Sequence, residues 1–441
     1  LTVLLLYLGT LCLCLGGIWL ACRKTPWCWW TILLGTIGTV LRLLYVLNTS
    51  YTERAHDVSG HLEYIRYVAM HLALPSLREG WETFHPPLYY VTGAVWYRIG
   101  MMLGRAESLL TRDLQWGALC ASAAVALIGI WIGWLLFPGR DKQHAAVLFG
   151  SVIAVFPGLI YFAARINNDV FVQLWIFLAM ALTLLWWRNS KIRWWYLAVL
   201  ATGLGVLSKG NALLFAPVLF GTLLCKPQLS WRKKLLHAIG GALLLCLVTG
   251  WFFGLRWAQG QSHIVENVDN LNDGLAVPNA VELFTEFNPL RLLRKPYNDP
   301  WDDVSGRQNF LEYLFRSAFF GEFDFGDPLR PLSTSLLLLA LLLCIPMATG
   351  FWNAVRRHTR DTIPLWLTLL SFLGGHIGLR IISPFSPSQD FRYSFMLLLP
   401  CAAFVLLGID ALPTGWRQFY RTILLTFIGV CGVFIVLVAT R

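Results

Sequence analysis

Between Glu53 and Tyr90 the chain collects Asp57, His61, Tyr64, Glu82 and the run His85-Pro86-Pro87-Leu88-Tyr89-Tyr90. Carboxylates and imidazoles this close together are the raw material of proton transfer. Asp57, His61 and Tyr64 stand at i, i+4 and i+7, so a helix would present all three on one face. On such a face Asp57 is the first candidate for a general base that takes the proton of a hydroxyl, with His61 and Tyr64 contacting the substrate. The alternative for Asp57 is the cap of a helix that begins at Val58 or Ser59. Glu82 and His85 precede two prolines that stiffen the chain; they could bind a substrate, a metal or each other. Asp57, Glu82, His85 and Asp169 could together hold a divalent metal ion, although no pair has a recognised ligand spacing.

Three further places carry chemistry. Arg165 and Asn167-Asn168-Asp169 form a short polar turn between two apolar runs, which supplies either a second carboxylate facing the first loop or helix caps. Ser208-Lys209-Gly210-Asn211 interrupts an apolar stretch, and an ionisable residue there is costly in lipid unless it has a use. Gln389-Asp390-Phe391-Arg392-Tyr393 lies just before another apolar run. The planar fork of Arg392 suits a phosphate, while interfacial anchoring by Arg392 and Tyr393 is the plainer use. Lys209 and Arg392 would make a cationic pair able to hold a lipid phosphate.

The elements that must position these residues are membrane spans. Of 441 residues 57% are hydrophobic and 13% charged, and the mean hydropathy is +0.60, far outside the range of soluble domains. The fold class is all-α, a polytopic membrane protein of roughly 12 transmembrane helices with external interfacial helices. The formal charge of +11 sits in short links such as Arg23-Lys24, Arg140 to Lys142, Arg188 to Arg193, Arg232 to Lys234, Arg356-Arg357 and Arg417 to Arg421. The positive-inside rule assigns these links to the cytoplasm, so the excess records topology and no nucleic-acid partner is implied. Parity then puts the Asp57 loop, Arg165 to Asp169, Lys209 and Ser383 to Tyr393 on the outer face. It allows only one crossing between Asn48 and Arg140, so Tyr89 to Leu103, with Arg98 inside it, should lie along the interface while Leu114 to Phe137 crosses. The chain divides into N-terminal spans (1–47), an external catalytic loop (48–113), a central bundle (114–255), a long external lid or acceptor region (256–332) and a C-terminal bundle (333–441). All ten cysteines fall in or beside apolar segments, so no disulfide framework is expected.

Taken together these segments resemble the GT-C superfamily of integral-membrane glycosyltransferases, particularly the branch of protein O-mannosyltransferases and lipid A aminoarabinose transferases. Asp57 stands where that family has its catalytic Asp, His85-Pro86-Pro87-Leu88-Tyr89-Tyr90 is similar to its Pro-Pro-Leu-Tyr run, and Asp169 to its second acidic position. Gly203 to Gly210 is similar to a Gly-Leu segment ending in a Lys-Gly that contacts the carrier phosphate, and Arg392-Tyr393 precedes a Leu-rich stretch ending at Pro400. The chain departs from many relatives in having His56, not a second acid, before Asp57. The resemblance implies a glycosyltransferase that moves a sugar, with inversion, from a polyprenyl-phosphate donor to a glycan, lipid or protein acceptor. Asp57, Asp169 and Glu82 would be catalytic; His61, Tyr64, His85, Arg165, Lys209, Asp390, Arg392 and Tyr393 would bind substrate. The expected setting is a bacterial inner membrane with the site facing the periplasm. The rival from another class is a transporter or flippase of a lipid-linked or anionic solute.

Overall fold

The computed structural model describes residues 27–260, 273–302, 306–357 and 360–441; the first apolar run, Leu1 to Ala21, and the Arg23-Lys24 link lie outside them. Among the described residues the architecture is helical, with one isolated β-bridge between Ala276 and Phe385. Among the described residues seven helices are long and apolar enough to cross a membrane, or eight if one bent pair counts as a span.

α1 (Cys28–Asn48) leads to two shorter helices, α2 (Val58–His71) and α3 (Leu88–Met102), and then to the 30-residue α4 (Glu107–Leu136). α3 has 15 residues, too few to cross. Val91, Val95, Ile99 and Met102 form an exposed apolar stripe along it, and Arg98 is turned back to the carbonyl of Ala69 at 2.8 Å. That is the build of a helix lying at an interface.

The next span is broken. α5 (Gln143–Val155) meets Pro157–Ala164 at 57°, because Pro157 has no N–H to continue the ladder. A freed carbonyl in lipid must find another donor. Arg42 of α1, fully buried, supplies it: Nη1 donates to the Ala154 carbonyl at 2.7 Å and Nε to Ser122 Oγ of α4 at 2.9 Å. One guanidinium thus ties three helices together at the kink.

α6 (Asp169–Asn189) and α7 (Ile192–Ser208) form a hairpin, after which the chain is extended at Lys209, makes a 3-10 stretch over Gly210–Phe215 and continues as α8 (Ala216–Cys225) and α9 (Trp231–Ala258). The described part of the stretch before the C-terminal bundle is folded. It contains short helices at Val281–Thr285 and Pro289–Arg294, the second capped by Asn288, and α10 (Phe310–Phe320). The fully buried Glu312 binds it together, accepting from Arg291 Nη2 at 2.6 Å, Arg291 Nε at 2.9 Å and the Asn288 N–H at 2.7 Å.

The last bundle comprises α11 (Arg330–Arg356), α12 (Ile363–Ile382), a run of 3-10 turns from Ser386 to Leu397, α13 (Leu398–Ala411) and α14 (Thr414–Ala439). α11 and α13 meet backbone to backbone. A Cβ on Gly408 would lie 1.7 Å from the Pro346 carbonyl oxygen and one on Gly350 2.0 Å from that of Phe404, so small residues set this crossing, as in membrane bundles generally.

The two ends of the bundle differ in character. At one end the segments around residues 57, 85, 169, 209, 300, 322 and 392 line one cavity. At the other, His144, Asp410 and Arg421 meet, with Arg421 Nη2 3.0 Å from Asp410 Oδ1 and 3.0 Å from His144 Nε2, and Lys226 Nζ donates to the Trp187 carbonyl. Among the described residues, the segments around Asp57, Asp169, Lys209 and Arg392 that parity assigned outside lie at the cavity end, and His144, Lys226, Asp410 and Arg421 lie at the other.

Candidate active site

The cavity, about 2010 Å³ in volume, takes its walls from the first loop, the ends of α6 and α7, the folded stretch before α11 and the end of α12. Asp57 stands at its edge as the N-cap residue of α2, but its backbone is left-handed (φ 54°, ψ 26°) and its side chain makes no capping hydrogen bond. The capping alternative therefore does not hold. A non-glycine residue in that region is strained, which asparagine and aspartate tolerate best, and the carboxylate is left exposed to the cavity. Burial and then the neighbouring Glu82 raise its pKa, while Arg392, Lys209 and His85 pull the other way. A carboxylate with raised proton affinity is a better base.

Beneath it lies a bonded cluster. His85 Nε2 donates to Glu82 Oε2 at 2.9 Å, and His61 Nδ1 pairs with Tyr90 Oη at 2.8 Å. Glu82 and His85 thus bind each other. Burial pushes the Glu82 carboxyl up, but His85, by charge and hydrogen bond, with His61 and Lys209, outweighs it and brings the group down to about 2. Burial lowers His61 to about 4, so its ring is neutral. Gly60 makes room for this packing, since a Cβ there would stand 2.7 Å from Glu82 Cγ. Arg256 at the end of α9 fastens the loop from below, donating to the carbonyls of Pro75 at 2.9 Å and of Thr83. Tyr64 does not reach the cavity: it is buried, stacks on Tyr90 at 3.8 Å and donates to the His85 carbonyl at 3.4 Å.

Lys209 and Asp169 meet in an ion pair, Lys209 Nζ donating to Asp169 Oδ1, and Asn167 Nδ2 donates to the other Asp169 oxygen at 3.0 Å. Both line the cavity, as does Arg392, and Lys209 is matched there to a carboxylate. The guanidinium of Arg392 lines the cavity beside the ring of Tyr393, 5.1 Å from its centroid, and its Nε is buried without a hydrogen bond. Burial works against its charge, but Tyr393, Asp390 and Glu322 outweigh that and raise its pKa. Arg165 lies behind the wall, buried, donating to the Arg54 carbonyl at 2.9 Å and packed on Phe162 and Phe323. Asp390 is buried and accepts the Arg392 N–H at 2.8 Å.

The segment carrying Asp390 and Arg392 is held by a residue that sequence reasoning missed. His376 of α12, fully buried, has Nε2 3.0 Å from the Ser388 carbonyl and Nδ1 2.7 Å from Ser394 Oγ. A carbonyl only accepts, so Nε2 carries the proton and the neutral ring accepts the Ser394 hydroxyl at Nδ1. A histidine within an apolar run was the available signal. Among the described residues the expected metal set does not converge. The group that does is His56, Glu322 and Asp390, whose ligand atoms all lie within 4.8 Å of one another.

A family model described as dolichyl-phosphate-mannose-protein mannosyltransferase matches residues 102–252, about a third of the chain. The match includes Asp169 and Lys209 but not Asp57 or Glu82. No curated protein matches the chain at the sequence level. Two solved structures of an oligosaccharyltransferase from Archaeoglobus fulgidus share its fold at 13% identity. One, tethered to an acceptor peptide containing the NVT sequon, has a TM-score of 0.55 over 96% of this chain and 56% of its own. The other, with an inhibitory peptide and a dolichol-phosphate, has a TM-score of 0.51 over 93% and 56%. The chain thus spans little more than half the length of these relatives. ArnT from Cupriavidus metallidurans aligns over 86% of this chain and 77% of its own at 15% identity, with a TM-score of 0.41.

Proposed function

We propose that this chain, an integral membrane protein with the fold of the GT-C superfamily of membrane glycosyltransferases, transfers a sugar from a polyprenyl-phosphate-linked donor to an acceptor hydroxyl on the outer side of the membrane. The observation that carries the reading is the Asp57 carboxylate. It is released from capping by a left-handed backbone and opens on a cavity that also holds Arg392. In the step proposed, Asp57 takes the proton of the acceptor hydroxyl and the oxygen attacks the anomeric carbon from the face opposite the phosphate. The bond from that carbon to the phosphate oxygen breaks, and the electron pair leaves with the lipid phosphate. Inversion follows from the opposed faces. Arg392 supplies fixed positive charge where negative charge grows, a preorganised electrostatic role. Glu82 and His85, bonded to each other, hold the loop that aims Asp57, and the Lys209–Asp169 pair lines the same cavity. The family model's description and the dolichol-phosphate bound by the archaeal relative support a lipid-phosphate donor.

The test is transfer by purified protein from a panel of polyprenyl-phosphate sugars to membrane-extract acceptors. Asp57→Asn should retain the fold and donor binding while losing at least about a hundredfold in rate, the lower range for a general base. Full activity in Asp57→Asn would remove the proposed role of this residue. Donor movement across the bilayer without transfer would favour the transporter reading.

A further inference from the structure

We infer that His376 is a positioning residue: from within α12 it closes the turn that carries Arg392 and Tyr393, and so fixes where the guanidinium meets a phosphate. This rests on the role proposed for Arg392 above.

The ring reaches both ends of that turn. Nε2 donates to the Ser388 carbonyl at 3.0 Å and Nδ1 accepts the Ser394 hydroxyl at 2.7 Å, so one side chain bridges a segment built of successive 3-10 turns. Short turns of this kind lack a regular helical ladder, and buried polar groups in them need partners from outside the segment. From Ser388 to Pro400 every residue is buried except Arg392 and Tyr393, and both of these line the cavity. Other contacts tie the same segment to the folded stretch before α11. Gln389 Nε2 donates to the Arg307 carbonyl at 2.7 Å, and the Phe391 N–H to Ser317 Oγ at 2.9 Å. His376 adds the tie to a membrane-spanning helix.

What this clamp sets is an arrangement of charge. The Tyr393 centroid lies 5.1 Å from the guanidinium carbon of Arg392 and 5.4 Å from Lys209 Nζ, with the His376 ring 6.1 Å away. One aromatic ring thus sits beside two cations, each attracted to it. A turn freed from His376 would carry Arg392 and Tyr393 away from Lys209 together. Displacements of about 1 Å in such an arrangement can cost a hundredfold in rate. A histidine that merely filled the core would, when replaced, lower stability and leave the phosphate affinity of the folded protein unchanged.

The probe is undecaprenyl phosphate, titrated onto the purified full chain in nanodiscs without acceptor, with melting temperature followed in parallel. His376→Leu should weaken binding at least about tenfold, while His376→Gln, whose amide can still donate to the Ser388 carbonyl, should recover most of the loss. Ser394→Ala removes one of the two bonds without touching the histidine and should weaken binding about two- to tenfold, so the test survives a His376→Leu chain that does not fold. The double variant His376→Leu/Arg392→Ala should bind no worse than Arg392→Ala alone, because the histidine acts through the arginine. Unchanged affinity in folded His376→Leu and Ser394→Ala, beside a loss in Arg392→Ala, would overturn the inference and leave the role of Arg392 intact. Additive losses in the double variant would likewise overturn it. Normal binding by Arg392→Ala would instead remove the phosphate-binding role of Arg392, and the inference with it.

Discussion

Asp57, Glu82, His85 and Arg392 were each visible as chemistry-bearing residues, but their partners were not, because partners are fixed by packing across tens or hundreds of positions. Lys209 illustrates the limit. An ionisable residue between two apolar segments marks itself, yet its carboxylate partner, Asp169, lies 40 residues earlier and was grouped with the acids of the first loop. Burial makes this pair consequential. Asp169 is 2% exposed and the Lys209 side chain 12%, so Lys209→Met strands a buried carboxylate and should cost about 3–5 kcal/mol. Adding Asp169→Asn should restore part of that stability. Denaturant unfolding of the two single variants and the double variant gives the coupling; additive losses would mean that the pair is not coupled. His56 and Glu322 were passed over as site residues for a related reason: nothing in their local spacing sets them apart until separate turns are brought together, whereas His376 carried a signal, a histidine within an apolar helix, that was not used.

Hydropathy located most helices of the described chain, since about 20 apolar residues are needed to cross a bilayer, and length, the internal Arg98 and parity separated the 15-residue α3 from the 30-residue α4. It missed the break at Pro157, where length and composition suit a continuous span and only the 57° bend distinguishes it. It also missed how closely helices approach, because small residues carry no hydropathy signal for contact. The α11–α13 crossing is the test case at this scale. Gly408→Ala places a methyl group where the Pro346 carbonyl already lies, 1.7 Å away, so the helices must separate. Overpacking of this kind costs about 1–3 kcal/mol. Thermal unfolding in detergent should show Gly408→Ala clearly less stable, while Gly429→Ala, whose Cβ would meet nothing within 4 Å, should be neutral. Equal melting temperatures would contradict the close crossing.

Parity and basic links assigned the two faces of the whole molecule, and the structure gathers the outer assignments around one cavity. Single cysteines placed in a cysteine-free background at Arg78 and Asp327, both exposed at the cavity end, should react with an impermeant reagent on intact cells. Cysteines at Lys233 and Arg357, exposed at the other end, should react only after lysis. The reverse pattern would turn the site toward the cytoplasm. The central claim is that this cavity is a transfer site with Asp57 as its base, and transfer itself tests it most directly. Purified protein in nanodiscs, given polyprenyl-phosphate sugars and membrane-extract acceptors, should form glycosylated product, with Asp57→Asn binding donor normally yet turning over at least about a hundredfold more slowly. Undiminished transfer by the folded Asp57→Asn variant would contradict the account.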